Sequence, residues 1–161
     1  MVYGAIAASS PAEVKNAEAA IGRATAAVRL TRPQLRLRDS VVQQGRARTG
    51  RFFVALDEAP EAHVDAVLDL TDQRAGLKGA WRINPPLIAF AETRARLRTP
   101  AGDTLLEETV LCSGEERSYV EWAADDGALF AAAMHVCVEA LAEKVVDDFF
   151  LIYPWANRRL D

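Results

Sequence analysis

The sequence predicts an α+β fold, a two-layer sandwich in which a mostly antiparallel four-stranded sheet is covered on one face by a long C-terminal helix and a second helix. Apolar residues recur every three or four positions from Ala128 to Phe149, which is the spacing of one helix face. Two alternating segments, Leu87–Arg98 and Thr104–Cys112, flank the turn-forming residues 99–103 and predict a hairpin. A helix over a hairpin is typical of this fold class.

Two helices are predicted before the sheet. Ser10-Pro11-Ala12-Glu13 has the pattern of a capping box and predicts a helix to about Arg29. An edge strand over Thr25–Leu30 is the alternative for the end of this segment. A second helix is predicted from Pro33, with Gly45 as its C-terminal stop.

All 161 residues are predicted to form one domain. Residues 11–30 are rich in Ala, so their apolar face is thin and we expect this helix at the periphery. Residues 31–153 are predicted to form the α+β core.

The first two predicted strands precede the hairpin. Residues 51–56 are rich in aromatic and aliphatic side chains, and apolar residues alternate over 64–70. Residues 73–84 contain two glycines and Trp81, so they are predicted as a loop or hairpin tip.

The hairpin strands carry two further expectations. The apolar parity of the first strand changes between Phe90 and Ala91, which indicates either a bulge or burial of both faces in its first half. Glu107 and Glu108 are predicted to pair with the Arg residues of the neighbouring strand, Arg94, Arg96 and Arg98.

The long C-terminal helix has predicted start and stop signals. Asp125 or Asp126 is predicted as its N-cap, because a short carboxylate accepts hydrogen bonds from the free amides of the first turn. Pro154 is the predicted stop. We expect Trp122 and Phe149 in the core.

Charge is distributed unevenly along the chain. Residues 1–56 carry nine basic and three acidic side chains, a net +6, whereas residues 57–161 carry ten and twenty, a net −10. A solvated Arg-rich helix face explains the first third, and binding to nucleic acid is the alternative. We do not expect a nucleic-acid partner, because the Arg residues lack the interleaved aromatics that stack on bases.

No catalytic constellation is evident, so we expect a protein that is not an enzyme and needs no cofactor. The two histidines, His63 and His135, belong to no nucleophile motif. Adjacent carboxylates such as Asp147 and Asp148 point about 100° apart on a helix and do not converge as an acid–base pair. No catalytic or metal-binding residue is therefore predicted.

Two cysteines, Cys112 and Cys137, lie in apolar periodic segments without metal-ligand spacing. Buried free thiols are one interpretation. A disulfide that ties strand to helix is the alternative in an exported protein.

The candidate binding residues are aromatic and basic. Trp81 and Trp155 are candidates for contact with a partner, because they lie in a loop and at the chain's end rather than on a core face. Arg32 and Arg36, in the Arg-rich third, are the candidate basic contacts.

The chain resembles a group of small bacterial envelope lipoproteins. The likeness spans residues 34–150 and includes Arg94-Ala95-Arg96-Leu97-Arg98, the turn at Pro100–Asp103 and Leu105–Glu108. Its most specific part is Trp122-Ala123-Ala124-Asp125-Asp126-Gly127. That group is similar in fold to the periplasmic domains of curli-secretion-channel lipoproteins and to the N-terminal domain of the Tol–Pal translocation protein.

The resemblance implies a non-enzymatic accessory protein in envelope assembly or transport that binds a protein or lipid partner. It implies the periplasm, or the periplasmic face of the outer membrane. The chain departs from the group in lacking an export signal and a lipidated N-terminal Cys, so membrane association is expected only through an anchor that this chain does not contain. A homo-oligomer is also compatible. The alternative is a cytoplasmic nucleic-acid-binding or regulatory protein that uses the Arg-rich third.

Overall fold

The computed structural model describes residues 10–30, 33–51, 53–55, 57, 63–79 and 86–152. The elements in chain order are α1 (Pro11–Leu30), α2 (Pro33–Thr49), β1 (Val67–Gly79), β2 (Pro86–Arg98), β3 (Thr104–Ser118), α3 (Tyr119–Trp122), α4 (Ala124–Val146) and a π-helical turn (Asp147–Ile152). The predicted α+β class is confirmed.

The sheet of the described residues has three antiparallel strands in the order β1-β2-β3. The predicted fourth strand over 51–56 is not confirmed, because Arg51 lies in a bend and residues 53–55 have no regular structure. The predicted hairpin is confirmed: in its turn the Thr99 amide donates to the Asp103 carbonyl at 2.9 Å. β3 is longer than predicted and continues to Ser118.

β1 differs from its prediction. The strand covers Val67–Gly79 rather than residues 64–70, so the loop predicted from residue 73 is wrong as far as Gly79. A bulge explains the discrepancy, since the pairing with β2 steps from Thr71 to Arg74 and Asp72 adopts a left-handed φ of 49°. The strand thus continues through residue types that otherwise indicate a turn.

β2 keeps one alternation along its whole length. Its odd-numbered residues from Leu87 to Leu97 are buried, while Ile88 and Phe90 lie on the opposite face and are half-buried. The second explanation of the apparent parity change, apolar residues on both faces in the first half, is therefore the better one. A pairing irregularity with β3 does occur nearby, between Ile88 and Phe90.

The core lies between α4 and the covered face of β2 and β3. Ala89 and Ala95 on β2 are fully buried and leave room for the large side chains of α4. Trp122 (1% exposed) and Phe149 (0%) are core residues, as predicted. The indole Nε1 of Trp122 donates to the Leu87 carbonyl at 2.9 Å, which satisfies its one polar atom in the core.

Both N-terminal helices form. The capping box of α1 is confirmed, because the Glu13 amide donates to Ser10 Oγ at 3.2 Å and the Ser10 amide donates to Glu13 Oε2 at 2.6 Å. The Ser10 backbone hydrogen bond lowers the pKa of Glu13. The helix continues to Leu30, so the edge-strand alternative is wrong.

The predicted stop of α2 at Gly45 is also wrong. The helix continues to Thr49 and is followed by Gly50, whose φ of 66° suits a glycine after a helix end. Gly45 is needed for packing instead, since a Cβ there would lie 2.7 Å from the Phe53 ring.

The junction between sheet and α4 is built differently from the prediction. Ser118 and Glu121 form a capping box that starts α3, and the Ser118 backbone hydrogen bond lowers the pKa of Glu121. Asp125, Asp126 and Gly127 are all left-handed, with φ of 51°, 56° and 85°. Helical backbone angles therefore resume only after Gly127, and among the described residues neither Asp125 nor Asp126 accepts a hydrogen bond from an amide of the first turn, so the predicted Asp N-cap is wrong.

Candidate functional site

Of the four candidate binding residues, one belongs to the part of the chain that the structure describes. Arg36 lies on α2 with an exposed side chain. Arg32, Trp81 and Trp155 fall outside the described residues.

A cleft runs along β1, which is an edge strand of the sheet. Its volume is about 1210 Å³, somewhat larger than the roughly 300–1,000 Å³ of ordinary ligand pockets. The walls come from α2, residues 51, 53–55 and 57, residues 63–66, the first half of β1, the end of β2 and the π-helical turn. We call this feature the β1 cleft.

Apolar side chains from distant parts of the chain line the β1 cleft. Val41 of α2, Leu68 and Leu70 of β1 and the rings of Phe53 and Phe150 all contribute. The two rings pack edge to face with centroids 4.8 Å apart, which is a favourable aromatic geometry. The cleft therefore offers an apolar surface beside a strand edge.

Charged residues at the rim of the cleft are joined in ion pairs. Asp69 Oδ2 accepts from Arg98 Nε at 2.8 Å and from Arg96 Nη2 at 3.1 Å. The Arg98 hydrogen bond is the main reason that the pKa of Asp69 is lowered, and Asp69 raises the pKa of Arg98 in turn. These pairs join β1 to β2 at the rim, and the apolar side chains of the cleft lie beside them.

Beyond β2, the described residues provide no further strand beside β1. The outer edge of residues 67–73 borders the cleft, so backbone donors and acceptors and apolar side chains occur side by side. The bulge at Asp72 ends the regular stretch of this edge. Such an edge can pair with one short extended segment.

Several Arg residues of the N-terminal third link the helices to each other. Arg23 of α1 pairs with Asp126 at 2.7 Å, and Arg48 of α2 pairs with Asp147 at 2.8 Å. Asp147 Oδ1 is buried and accepts no hydrogen bond of good geometry, so its contact with Arg48 is an ion pair only. These arginines contribute to the α1–α4 and α2–α4 packing.

A polar seam accompanies that packing between α2 and α4. Ser40 Oγ donates to Glu139 Oε1 at 2.7 Å, and Gln44 Nε2 donates to the Glu139 carbonyl at 3.1 Å. Ser40, Gln44 and Arg48 follow one another at intervals of four, and so do their partners Glu139, Glu143 and Asp147 on α4 and the π-helical turn. The spacing places all the contacts along one line of the interface.

The open face of the sheet carries a second set of ion pairs. Arg74 Nε lies 2.7 Å from Glu92 Oε1, and Arg94 pairs with Glu107, as predicted for the hairpin. A shallow depression of about 320 Å³ lies between these residues. Its walls are almost entirely charged, so it is a less suitable apolar site than the β1 cleft.

The two cysteines meet beneath α4. Cys112 Sγ lies 3.3 Å from Cys137 Sγ, and both are free thiols. Burial raises the pKa of the Cys137 thiol to about 12, and its contact with Cys112 adds to the rise. The chain places them as close neighbours although 25 residues separate them.

The described ranges lack two kinds of feature, a metal-binding cluster and a membrane-spanning helix. They contain no group of three or more His, Cys, Asp or Glu side chains positioned to hold a metal ion. They also contain no helix with the length and apolar composition needed to cross a membrane.

Comparison with known proteins returns no match among family models, curated proteins or solved structures. The resemblance to small envelope lipoproteins therefore stays a prediction based on the sequence pattern alone.

The sequence does not predict the β1 cleft. Its signals are the apolar alternation of residues 64–70 and the apolar pair Phe53-Val54, from which two separate strands are predicted. Nothing in either segment indicates that both line one cleft.

Proposed function

We propose that this chain is a non-enzymatic binding module of the bacterial cell envelope, an accessory protein in assembly or transport that holds a protein partner in the β1 cleft. The observation that carries the proposal is the β1 cleft itself, which has a volume of about 1210 Å³ and presents both apolar and polar side chains beside a sheet edge. The periplasmic location and the role in assembly or transport come from the family resemblance.

The architecture of the cleft favours an extended polypeptide as partner. An added strand gains main-chain hydrogen bonds from a sheet edge and specificity from pockets for alternate side chains. Leu68 and Leu70 are separated by two positions, so both present apolar surface on the same side of β1. A lipid acyl chain would use the apolar wall but not the backbone edge.

The proposal includes the two-layer arrangement, with all helices on one face of the sheet. It is supported by the alternate burial of β2, whose Arg94 and Arg96 are exposed while Ala95 and Leu97 are buried. In this arrangement the edge of β1 is the place where a partner strand extends the sheet.

Ion pairing of the N-terminal Arg residues favours this proposal over the nucleic-acid alternative. Arg23, Arg38 and Arg48 each pair with a carboxylate of another segment. A paired guanidinium must give up that contact before it can bind a phosphate, which reduces the gain from counterion release.

Site-specific photo-crosslinking in the native cell tests the binding site. A photoreactive residue at Asp65, which is exposed and lines the cleft, should crosslink to a discrete envelope polypeptide. The matched control is Glu116, an exposed acidic residue on β3 away from the cleft. Equal crosslinking from both positions, or from neither, would contradict a specific site at β1.

A pair of valine substitutions sharpens this experiment. Val42→Lys introduces a charge into the cleft wall and should reduce crosslinking from Asp65 at least tenfold. Val136→Lys, at a side chain that is 66% exposed on α4, should leave it unchanged. Crosslinks to phospholipid instead of polypeptide would show that the partner is a lipid and not a protein.

Cell fractionation tests the location independently. The native protein is expected in the periplasmic or outer-membrane fraction. Recovery with cytoplasmic markers would overturn the envelope assignment and leave the binding site itself to the crosslinking result.

A further inference from the structure

We propose that Cys112 and Cys137 form a redox pair that closes to an intramolecular disulfide and ties β3 to α4. The inference is independent of the proposed binding function. It rests on the position of two sulfurs that the fold brings to 3.3 Å from each other.

The surroundings of the sulfurs favour this pairing. Cys112 lies opposite Ala91 in the sheet and shares its covered face, and Cys137 is 2% exposed on the inner face of α4. Their sulfurs are held face to face by the packing of strand and helix. A disulfide bond of about 2.05 Å requires only a small further approach of the two sulfurs.

Unequal exposure gives the two thiols different roles. Cys112 is half-buried, whereas Cys137 lies in the core and its raised pKa keeps it protonated. The thiolate is the reactive form, so attack on an external oxidant starts at Cys112. Cys137 is the resolving thiol.

The oxidant is a small-molecule disulfide, for which oxidised glutathione is the probe. The Cys112 thiolate attacks one glutathione sulfur, which breaks the glutathione disulfide and forms a mixed disulfide with release of one glutathione thiolate. The released glutathione thiolate takes the proton of Cys137, and the Cys137 thiolate then attacks Cys112 Sγ and releases the second glutathione as a thiolate, which is protonated by solvent. The two protein thiols are oxidised by two electrons, and the glutathione disulfide is reduced to two thiols.

The bond would enclose the junction between sheet and helix. The segment between the two cysteines contains the α3 capping box and the left-handed residues Asp125, Asp126 and Gly127. Left-handed backbone costs energy in non-glycine residues, so this junction is a place where the chain gains from a covalent constraint. Closing a loop of this length restricts the unfolded chain.

The test measures oxidation of the folded protein at low concentration. After equilibration with oxidised glutathione, the monomer should lose two hydrogen atoms by mass spectrometry and should contain no titratable thiol. Its midpoint of thermal unfolding should rise by about 5 to 15 °C relative to the same protein in dithiothreitol. The oxidation rate should increase with pH, because thiolates react.

A variant of identical composition provides the control. Exchanging the two neighbours, as Cys112→Ser with Ser113→Cys, moves the thiol to the open face, where Ser113 Oγ now accepts from Lys78 Nζ. This variant should keep both thiols free or form only mixed disulfides, with no thermal shift between oxidised and reduced samples. Because the shift is measured within each variant, any loss of stability caused by the exchange itself cancels.

Two results would overturn the proposal. One is wild-type protein that retains two free thiols, or carries only glutathione adducts, at excess oxidant. The other is an equal thermal shift in the wild type and in the exchanged variant.

Discussion

β1 and β2 are neighbouring strands of equal length with very different surroundings. β2 lies under α4, and its residues Ala89, Ala95 and Leu97 are fully buried. β1 lies beside the cleft, and the inward side chains Leu68 and Leu70 are only half-buried. Both strands use apolar residues at alternate positions, so the pattern alone does not distinguish them.

The difference arises because the long helix α4 covers only part of the sheet. α4 packs on β2 and β3, where small Ala residues allow close approach. The side of β1 is left to α2 and to residues 51, 53–55 and 57, which have no helix or strand structure and line a cleft. Buried packing is thus concentrated under α4, and the β1 cleft lies where this helix does not extend.

A pair of leucines that face each other across β1 and β2 gives the largest expected effect. Leu68 and Leu97 are register partners, but only Leu97 is fully buried. Leu97→Ala should lower the free energy of unfolding by about 3 to 4 kcal/mol, and Leu68→Ala by about 1 to 2 kcal/mol. Urea titration of both variants measures the difference. Equal losses would mean that β1 is as well packed as β2.

The same comparison explains which elements the sequence predicted. The hairpin of β2 and β3 was found because alternation and a turn of strong breakers coincide there. β1 was cut short, because Asp72, Gly76 and Gly79 resemble a loop and a bulge cannot be distinguished from a turn without its partner strand. The residue types of a segment do not show whether pairing with another strand stabilises it as a strand.

The helix ends also show which features the local sequence predicts and which depend on contacts with distant residues. The capping box Ser10–Glu13 was recognised, whereas the identical Ser-x-x-Glu spacing at Ser118–Glu121 was overlooked although the signal was present. Gly45 resembles a helix stop in the sequence. Its lack of a side chain is needed instead for packing against the Phe53 ring, and Phe53 lies beyond the end of α2. The pairing of Arg23 with Asp126 was not predictable, since 103 residues separate them.

The candidate site could be predicted only in part. Arg36 is exposed, but Arg32, Trp81 and Trp155 lie outside the described residues, so their role stays a prediction. The β1 cleft was not foreseen, because its walls come from α2, a short irregular segment, β1 and the π-helical turn. A cleft assembled from four separate segments has no local sequence signature.

The stability of the protein at alkaline pH reports on the burial of the Cys137 thiol in α4. The folded-state pKa of Cys137 is raised to about 12, so its contribution to stability is complete below the unfolded pKa near 9 and is lost as pH rises toward 12. The reduced protein should lose about 1 to 2 kcal/mol between pH 8 and pH 10 from this group. Subtracting the same pH profile of Cys137→Ala isolates the effect. Identical profiles would indicate that water reaches this thiol.

Two helical glycines distinguish the packing beside the cleft from that of α1. A Cβ at Gly22 would meet nothing within 4 Å, while one at Gly45 would lie 2.7 Å from the Phe53 ring. Gly22→Ala should stabilise the protein by about 0.5 to 1 kcal/mol through helix propensity. Gly45→Ala should destabilise it by about 1 to 2 kcal/mol, because the clash exceeds the same propensity gain. If Gly45→Ala stabilised the protein instead, the Phe53 ring in the cleft wall would move aside at little energetic cost.

The smallest expected effect concerns the ion pairs at the rim of the cleft. The pKa of Asp69 is lowered mainly by its hydrogen bond with Arg98, so its contribution is present above the unfolded pKa of about 3.9 and disappears as pH falls through the lower folded value. Since Arg96 and Arg98 are partly exposed, solvent screening limits this contribution to less than about 1 kcal/mol. Asp69→Asn should therefore reduce stability slightly at pH 7 and should flatten the acid limb of the stability profile. The control is Asp65→Asn, at an exposed carboxylate of the same cleft that forms no ion pair with the described residues. If both variants behave alike, the pairs between β1 and β2 are surface contacts without energetic weight, and the strand's edge is held by its backbone alone.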